Sequence, residues 1–192
     1  MAQSKTELCN VALSMFGGQR IIDIDDSDTD EARLCSAIYD VLRQDLLDSH
    51  SWNCAIKRVQ LNQLSVTPIY DYDYQYELPS DYVRVLEVYK GKDYPWVIEG
   101  SSLLSNSDSV YIKYMYDLTD VSKFSNRFSM TLIAYIAATI CYNLTESRPM
   151  SDLMWSIYKK RFDNAKAIDG QEGKTTYTET SNWIDIREDY SQ

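Results

Sequence analysis

Apolar positions recur at helical spacing at both ends of the chain and at strand spacing in its middle. Over residues 4–16, Leu8, Ala12 and Met15 share one face, Ser4 and Glu7 stand at capping-box spacing, and Gly17-Gly18 supplies a stop. An acidic linker, Asp23-Ile24-Asp25-Asp26-Ser27, leads into a second helix predicted over residues 28–50. Its stripe is Ala32, Cys35, Ile38, Tyr39, Leu42 and Leu46. The period then changes. Residues 55–64, 75–78, 83–89, 94–98 and 110–116 read as about five strands, separated by turn signals such as Gly91-Lys92-Asp93 and Ser105-Asn106-Ser107-Asp108. From Ser125 the helical period returns with Phe128, Leu132, Tyr135, Ile136, Ala138 and Tyr142, apolar on most sides and therefore central. Ser147-Arg148-Pro149 breaks it, and a last helix follows over residues 151–168.

This order predicts an α+β fold: a helical bundle built from N- and C-terminal helix pairs, with an inserted antiparallel β-sheet subdomain. The segments are 1–54 (N-terminal helices), 55–118 (β insert), 119–170 (C-terminal helices) and 171–192, a polar acidic tail. Within the insert, Tyr76-Glu77-Leu78-Pro79-Ser80-Asp81 reads as two strands hinged at a proline. Pro79 has no N–H for a ladder and biases Leu78 to an extended conformation, which places the stretch at a strand end or edge.

Composition sharpens the picture in two ways. The chain has 16 tyrosines against 4 phenylalanines, a bias suited to half-buried sites where the ring packs and the hydroxyl stays wet. The formal charge is −10, from 29 acids against 19 bases, which argues against gripping nucleic acid by its phosphates. Cys9, Cys35, Cys54 and Cys141 are widely spaced without a C-x-x-C, and read as free thiols in a reducing cytosol. No signal peptide is expected, and the apolar run 130–142 is too short to span a bilayer.

Candidate chemistry is thin. Asp23, Asp25, Asp26, Asp28, Asp30 and Glu31 invite a calcium reading, but an EF-hand needs glycine at its sixth position and glutamate at its twelfth. Counting from Asp23 or Asp26 puts Asp28 and Leu34, or Glu31 and Ala37, there. The cluster instead suits the positive end of the second helix, with Asp or Ser as cap. His50, the only histidine, stands four residues before Cys54, a spacing that would allow a nucleophile and base; a helix-closing histidine is the plainer reading. Asn143-Leu144-Thr145 matches a glycosylation acceptor inside a predicted helix, and Lys159-Lys160-Arg161 reads as a solvated basic face. No catalytic residue, metal ligand or cofactor site is assigned.

One ordered series of residues nonetheless resembles a known family. It runs Leu8-Cys9-Asn10, Ala12-Leu13 and Gly17-Gly18, then Leu46-Leu47, Trp52-Asn53-Cys54-Ala55 and Tyr76-Glu77-Leu78-Pro79-Ser80-Asp81 with Arg84-Val85. Val110-Tyr111-Ile112-Lys113-Tyr114, Ala134, Ala137-Ala138 and Leu144-Thr145-Glu146-Ser147 complete it. In that order they are similar to the tail tubular protein A family of short-tailed bacteriophages, the adaptor ring beneath the portal. The likeness covers residues 4–168; the chain departs at Cys54, where a large aromatic is usual, and beyond Gly170.

The resemblance implies a structural virion protein at the head-to-tail junction, made in the host cytoplasm and not an enzyme. It would be a homo-oligomeric ring of about twelve copies bound to the portal protein and the tail nozzle protein. DNA would pass through without specific binding, and no membrane is involved. Such a ring at −10 per copy would carry on the order of −120, a lumen that repels phosphates and an interface that must compensate by apolar burial. Tyr72, Tyr74, Tyr76 and Tyr82 are the candidates for subunit contacts, and Trp183, Ile184 and Ile186 for docking of the tail to the portal or a neighbour. The alternatives are a virion-associated carbohydrate hydrolase acting on host surface polysaccharide, which needs only two carboxylates, and a non-viral assembly adaptor of the same plan.

Overall fold

The first helix forms because its end is satisfied locally. Ser4 accepts a hydrogen bond from the Glu7 N–H (3.1 Å) and opens α1 (Lys5–Ser14), which buries Leu8, Cys9, Ala12 and Leu13. The chain turns at Gly17, whose φ of 82° suits glycine, and a side chain on Gly18 would meet Phe16 at 3.0 Å. Asn10 then holds the returning linker, its amide donating to the Ile21 carbonyl (2.9 Å) and accepting from the Ile21 N–H (2.8 Å). This computed structural model describes residues 4–26, 28–89 and 94–172.

The second helix, α2 (Asp30–Ser49), is capped by Thr29, which accepts from the Ala32 N–H (3.2 Å). The cap is thus neither aspartate nor serine; Asp23 and Asp26 instead accept backbone N–H bonds from Asp25 and Asp28 within the linker. Asp30 and Glu31 lie in the first turn, where the helix dipole favours acids. Ser125 caps α3 (Asn126–Thr145), and Glu146 ends it at φ 51° in the left-handed region. Ser147 immediately caps α4 (Arg148–Gln171), with Pro149 in the first turn, where its missing N–H costs nothing. The break therefore also starts the last helix, three residues before the predicted 151. By length and composition α3 would suffice to cross a membrane, longer than the apolar run 130–142; 61% of that window is buried inside the protein, against α1, α2 and α4.

Among the described residues seven strands lie between α2 and α3, where about five were expected, and they form two antiparallel sheets rather than one meander. The strands are β1 (Ile56–Gln60), β2 (Asn62–Gln63), β3 (Tyr74–Glu77), β4 (Tyr82–Val88), β5 (Trp96–Glu99), β6 (Ser102–Ser105) and β7 (Tyr111–Tyr116). The three-stranded sheet has order β1-β7-β4, and the four-stranded sheet β2-β3-β6-β5. Leu61 divides the expected strand 55–64 between them, bonding to the Val110 carbonyl at 2.9 Å. All four residues of β6 are buried, so it shows no alternation for a period-2 reading to find. The α+β class stands.

Two cores result. One gathers the helices around Trp52, Phe128, Leu46 and Leu47; the other holds Leu61, Tyr76, Leu78, Leu103, Val110, Ile112 and Tyr114. The strand β7 serves both, because Met115 faces the helices while Ile112 and Tyr114 face the second core. Trp52 is fully buried, its indole donating to the Leu46 carbonyl (2.7 Å) and packing edge-on against Phe128 (5.2 Å). Arg43, 2% exposed, joins α2 to the segment after β7 through Asp117 and the Leu118 carbonyl (3.0 Å).

Candidate functional site

The Leu-Pro-x-Asp stretch is a structural tie. Strand β3 ends at Glu77, the Leu78 N–H bonds to the Ser101 carbonyl (3.0 Å), and Pro79 accepts from the Tyr82 N–H (3.0 Å). Asp81 then receives the Lys57 ammonium on one oxygen (2.7 Å) and the Tyr114 hydroxyl on the other (3.0 Å). Partial burial alone would raise the Asp81 carboxyl, and the bonds from Lys57 and Tyr114 outweigh it, holding it below its ordinary value. Burial and the same bond push Tyr114 up to about 12. The motif thus locks β1, β4 and β7 together.

The four tyrosine candidates separate. Tyr76 is 1% exposed and its hydroxyl donates to the Ser107 carbonyl (2.6 Å), so its ring lies inside the second core and is corrected from the subunit-contact set. Tyr72, Tyr74 and Tyr82 are half-buried, the latter two packed against that core. Trp183, Ile184 and Ile186 lie outside the described residues.

Other large apolar side chains reach solvent in this region: Val66, Ile69 and Tyr70 in the loop between β2 and β3, then Tyr89, Tyr94 and Trp96. A sequence signal existed, since Val66 and Pro68-Ile69-Tyr70 put apolar groups in a loop whose remaining residues are Ser65, Thr67, Asp71, Tyr72 and Asp73. Beneath that loop Asp71 and Glu99 line a cleft of about 290 Å³ with Tyr70 and Tyr72. A larger groove, about 600 Å³, opens on the three-stranded sheet between Arg58, Glu87, Tyr89 and Lys113. It continues the face that meets the helices at Ile56 and Met115, two residues (one repeat of the pleat) further out.

The His50 and Cys54 pair does not form the arrangement of a nucleophile and base. His50 closes α2, and its Nε2 lies 3.2 Å from Asp169, a buried carboxylate that also accepts the Asn53 N–H (3.2 Å). The Asp169 carbonyl accepts from the Asn53 side chain (2.6 Å), so the group fastens the end of α4 to the junction of α2 and β1. Burial pushes the Cys54 thiol up, away from the thiolate a nucleophile needs. Cys9, Cys35 and Cys141 are buried and free. Among the described residues no group of three or more His, Cys, Asp or Glu is placed to hold a metal. Asn143 lies within α3, and of the basic run Arg161 donates to the Met130 carbonyl (3.2 Å).

Comparison of the sequence with protein-family models and with curated proteins finds no match to either.

Proposed function

We propose that this chain is a protomer of a head-to-tail adaptor ring in a short-tailed phage virion, seated between portal and tail nozzle and lining the path of the ejected DNA. In this reading the four helices make one bundle and the two sheets project from it as the part that meets neighbouring subunits. The observation that carries it is the exposure of Val66, Ile69, Tyr70, Tyr89, Tyr94 and Trp96 in the β region, four of them at least 66% exposed, a level that only Ile22 reaches among the described residues of the helical part. Large apolar groups left in water in one region mark a surface to be covered by protein. The ordered residue series from Leu8 to Ser147 points to the same family, and the charge of −10 suits a lumen that DNA slides past. Mass photometry and negative-stain imaging of the purified protein, alone and with its cognate portal, test this. Rings of about twelve copies are expected; a species that stays monomeric and never binds portal overturns it.

A further inference from the structure

A closed ring needs each copy to offer one surface to the neighbour on one side and a different, complementary surface to the other. We propose that the loop of residues 65–73 is the projecting half of that contact, and that the groove on the β1-β7-β4 sheet of the next copy receives it. This rests on the ring reading above and names its interface.

The projecting half is apolar at its tip and acidic at its shoulder. Ile69 is 97% exposed, Tyr70 75% and Val66 66%, so the tip has almost no packing within its own subunit. Its base is fixed: Asp71 turns back at φ 67°, the Tyr72 N–H bonds to the Tyr70 carbonyl (2.8 Å), and the Asp73 N–H to Asn106 Oδ1 (2.9 Å). A fixed base lowers the ordering cost of docking. The loop carries Asp71 and Asp73 and no basic residue.

The receiving half has the opposite character. Across the sheet, Arg58 stands directly opposite Lys113, and Lys113 opposite Glu87. Two bases against one acid leave these three side chains net basic, and an acidic visitor complements them. Tyr89, 72% exposed, supplies apolar surface beside them. Both halves of the match belong to one chain, which favours a second copy over a foreign partner. They sit on different sheets, so the contact is head-to-tail, as a ring requires. A chain of charge −10 also needs local pairing of opposite sign wherever its copies meet.

The test uses two double variants, followed by sedimentation velocity where wild type assembles, with portal added if wild type requires it. The loop variant is Ile69→Asp with Tyr70→Ser, and the groove variant Arg58→Glu with Tyr89→Ser; circular dichroism and melting confirm the fold, and Ile69→Ser alone provides a milder version. Each variant by itself is expected to lose self-association by about tenfold or more. Mixed, they are expected to form a one-to-one dimer of near wild-type affinity, because each retains one intact half. Wild-type assembly by either variant, or a mixture that stays monomeric, overturns this interface while leaving the ring reading in place. Wild type that is monomeric alone and with portal overturns both.

Discussion

The helical part and the β region both close their cores but differ in how many large apolar side chains they leave strongly exposed. Around α3, Trp52, Phe128, Leu8, Leu13, Leu46 and Leu47 are all below 2% exposed, and every helix begins at a side-chain cap. The helices and the linker after α1 also expose Ile22 (94%), Val41, Leu153, Tyr142, Trp155 and Val11, of which Trp155 joins an aromatic ladder in which Tyr135 stacks on Tyr158 at 4.5 Å. In the β region a small core is closed just as tightly, yet Ile69, Tyr70 and Tyr89 stand almost free in water. The strongest exposures fall in the β region, at Ile69, Tyr70 and Tyr89, with Ile22 the one comparable position outside it among the described residues. Stability and assembly should therefore respond to different residues.

The largest effect should come from the helical part. Replacing Trp52 with alanine removes the bond to the Leu46 carbonyl and the edge contacts to Phe128 and His50 (5.1 Å). The expected loss is about 3–5 kcal/mol by urea unfolding; a loss below about 1 kcal/mol would show that the junction is not a keystone. Arg43→Ala leaves Asp117 without its buried partner. Because Asp117 is 29% exposed and can be rewetted, the expected cost is the low end of breaking a buried pair, about 3 kcal/mol, measured the same way.

That division also explains what could be read in advance. Ser4 and Ser125 announce their helices because a cap is a local device, whereas Ser147 read only as a break, and the stripe from Ala32 to Leu46 keeps one face through about four turns. The sheets depend on partners far along the chain. Ser102-Leu103-Leu104-Ser105 is strand only because β3 and β5 flank it, and the division at Leu61 depends on Val110. Tyr76 read as interface because its neighbours Tyr72 and Tyr74 alternate with it; the Ser107 carbonyl that holds its hydroxyl is thirty-one residues away. Exposure at Ile69 was legible only as an apolar triplet in a polar loop.

A middle-sized effect belongs to Asp81, whose side chain is 34% exposed. Asp81→Asn should cost about 1–2 kcal/mol through the weakened bonds from Lys57 and Tyr114. Because its folded carboxyl is held low, the wild-type contribution is present above about pH 4 and lost as pH falls through the folded value. Tyr114 runs the other way. Its proton is held up to about 12, so that contribution is present below about pH 10 and lost as pH rises toward 12. Tyrosinate absorbance, read as wild type minus Tyr114→Phe, should show the late titration, and Asp81→Asn should move it toward the ordinary tyrosine value. An unmoved titration would mean that burial, the larger cause, accounts for it alone.

The smallest stability effect should come from Ile69, the residue proposed for the tip of the subunit contact. Ile69 is 97% exposed, so Ile69→Ser removes almost no packing from the folded subunit. The chemical unfolding midpoint should shift by less than the equivalent of about 0.5 kcal/mol, the range for surface substitutions away from special features. If that loop is held in reserve for another copy, the same change should weaken self-association while leaving the monomer as stable as before. A loss of stability comparable to that of Trp52→Ala would mean that the tip packs within its own subunit in solution. The difference in exposure between the helical part and the β region would then lose its meaning, and with it the reason to expect a neighbour at Ile69 rather than at the aromatic ladder of α3 and α4.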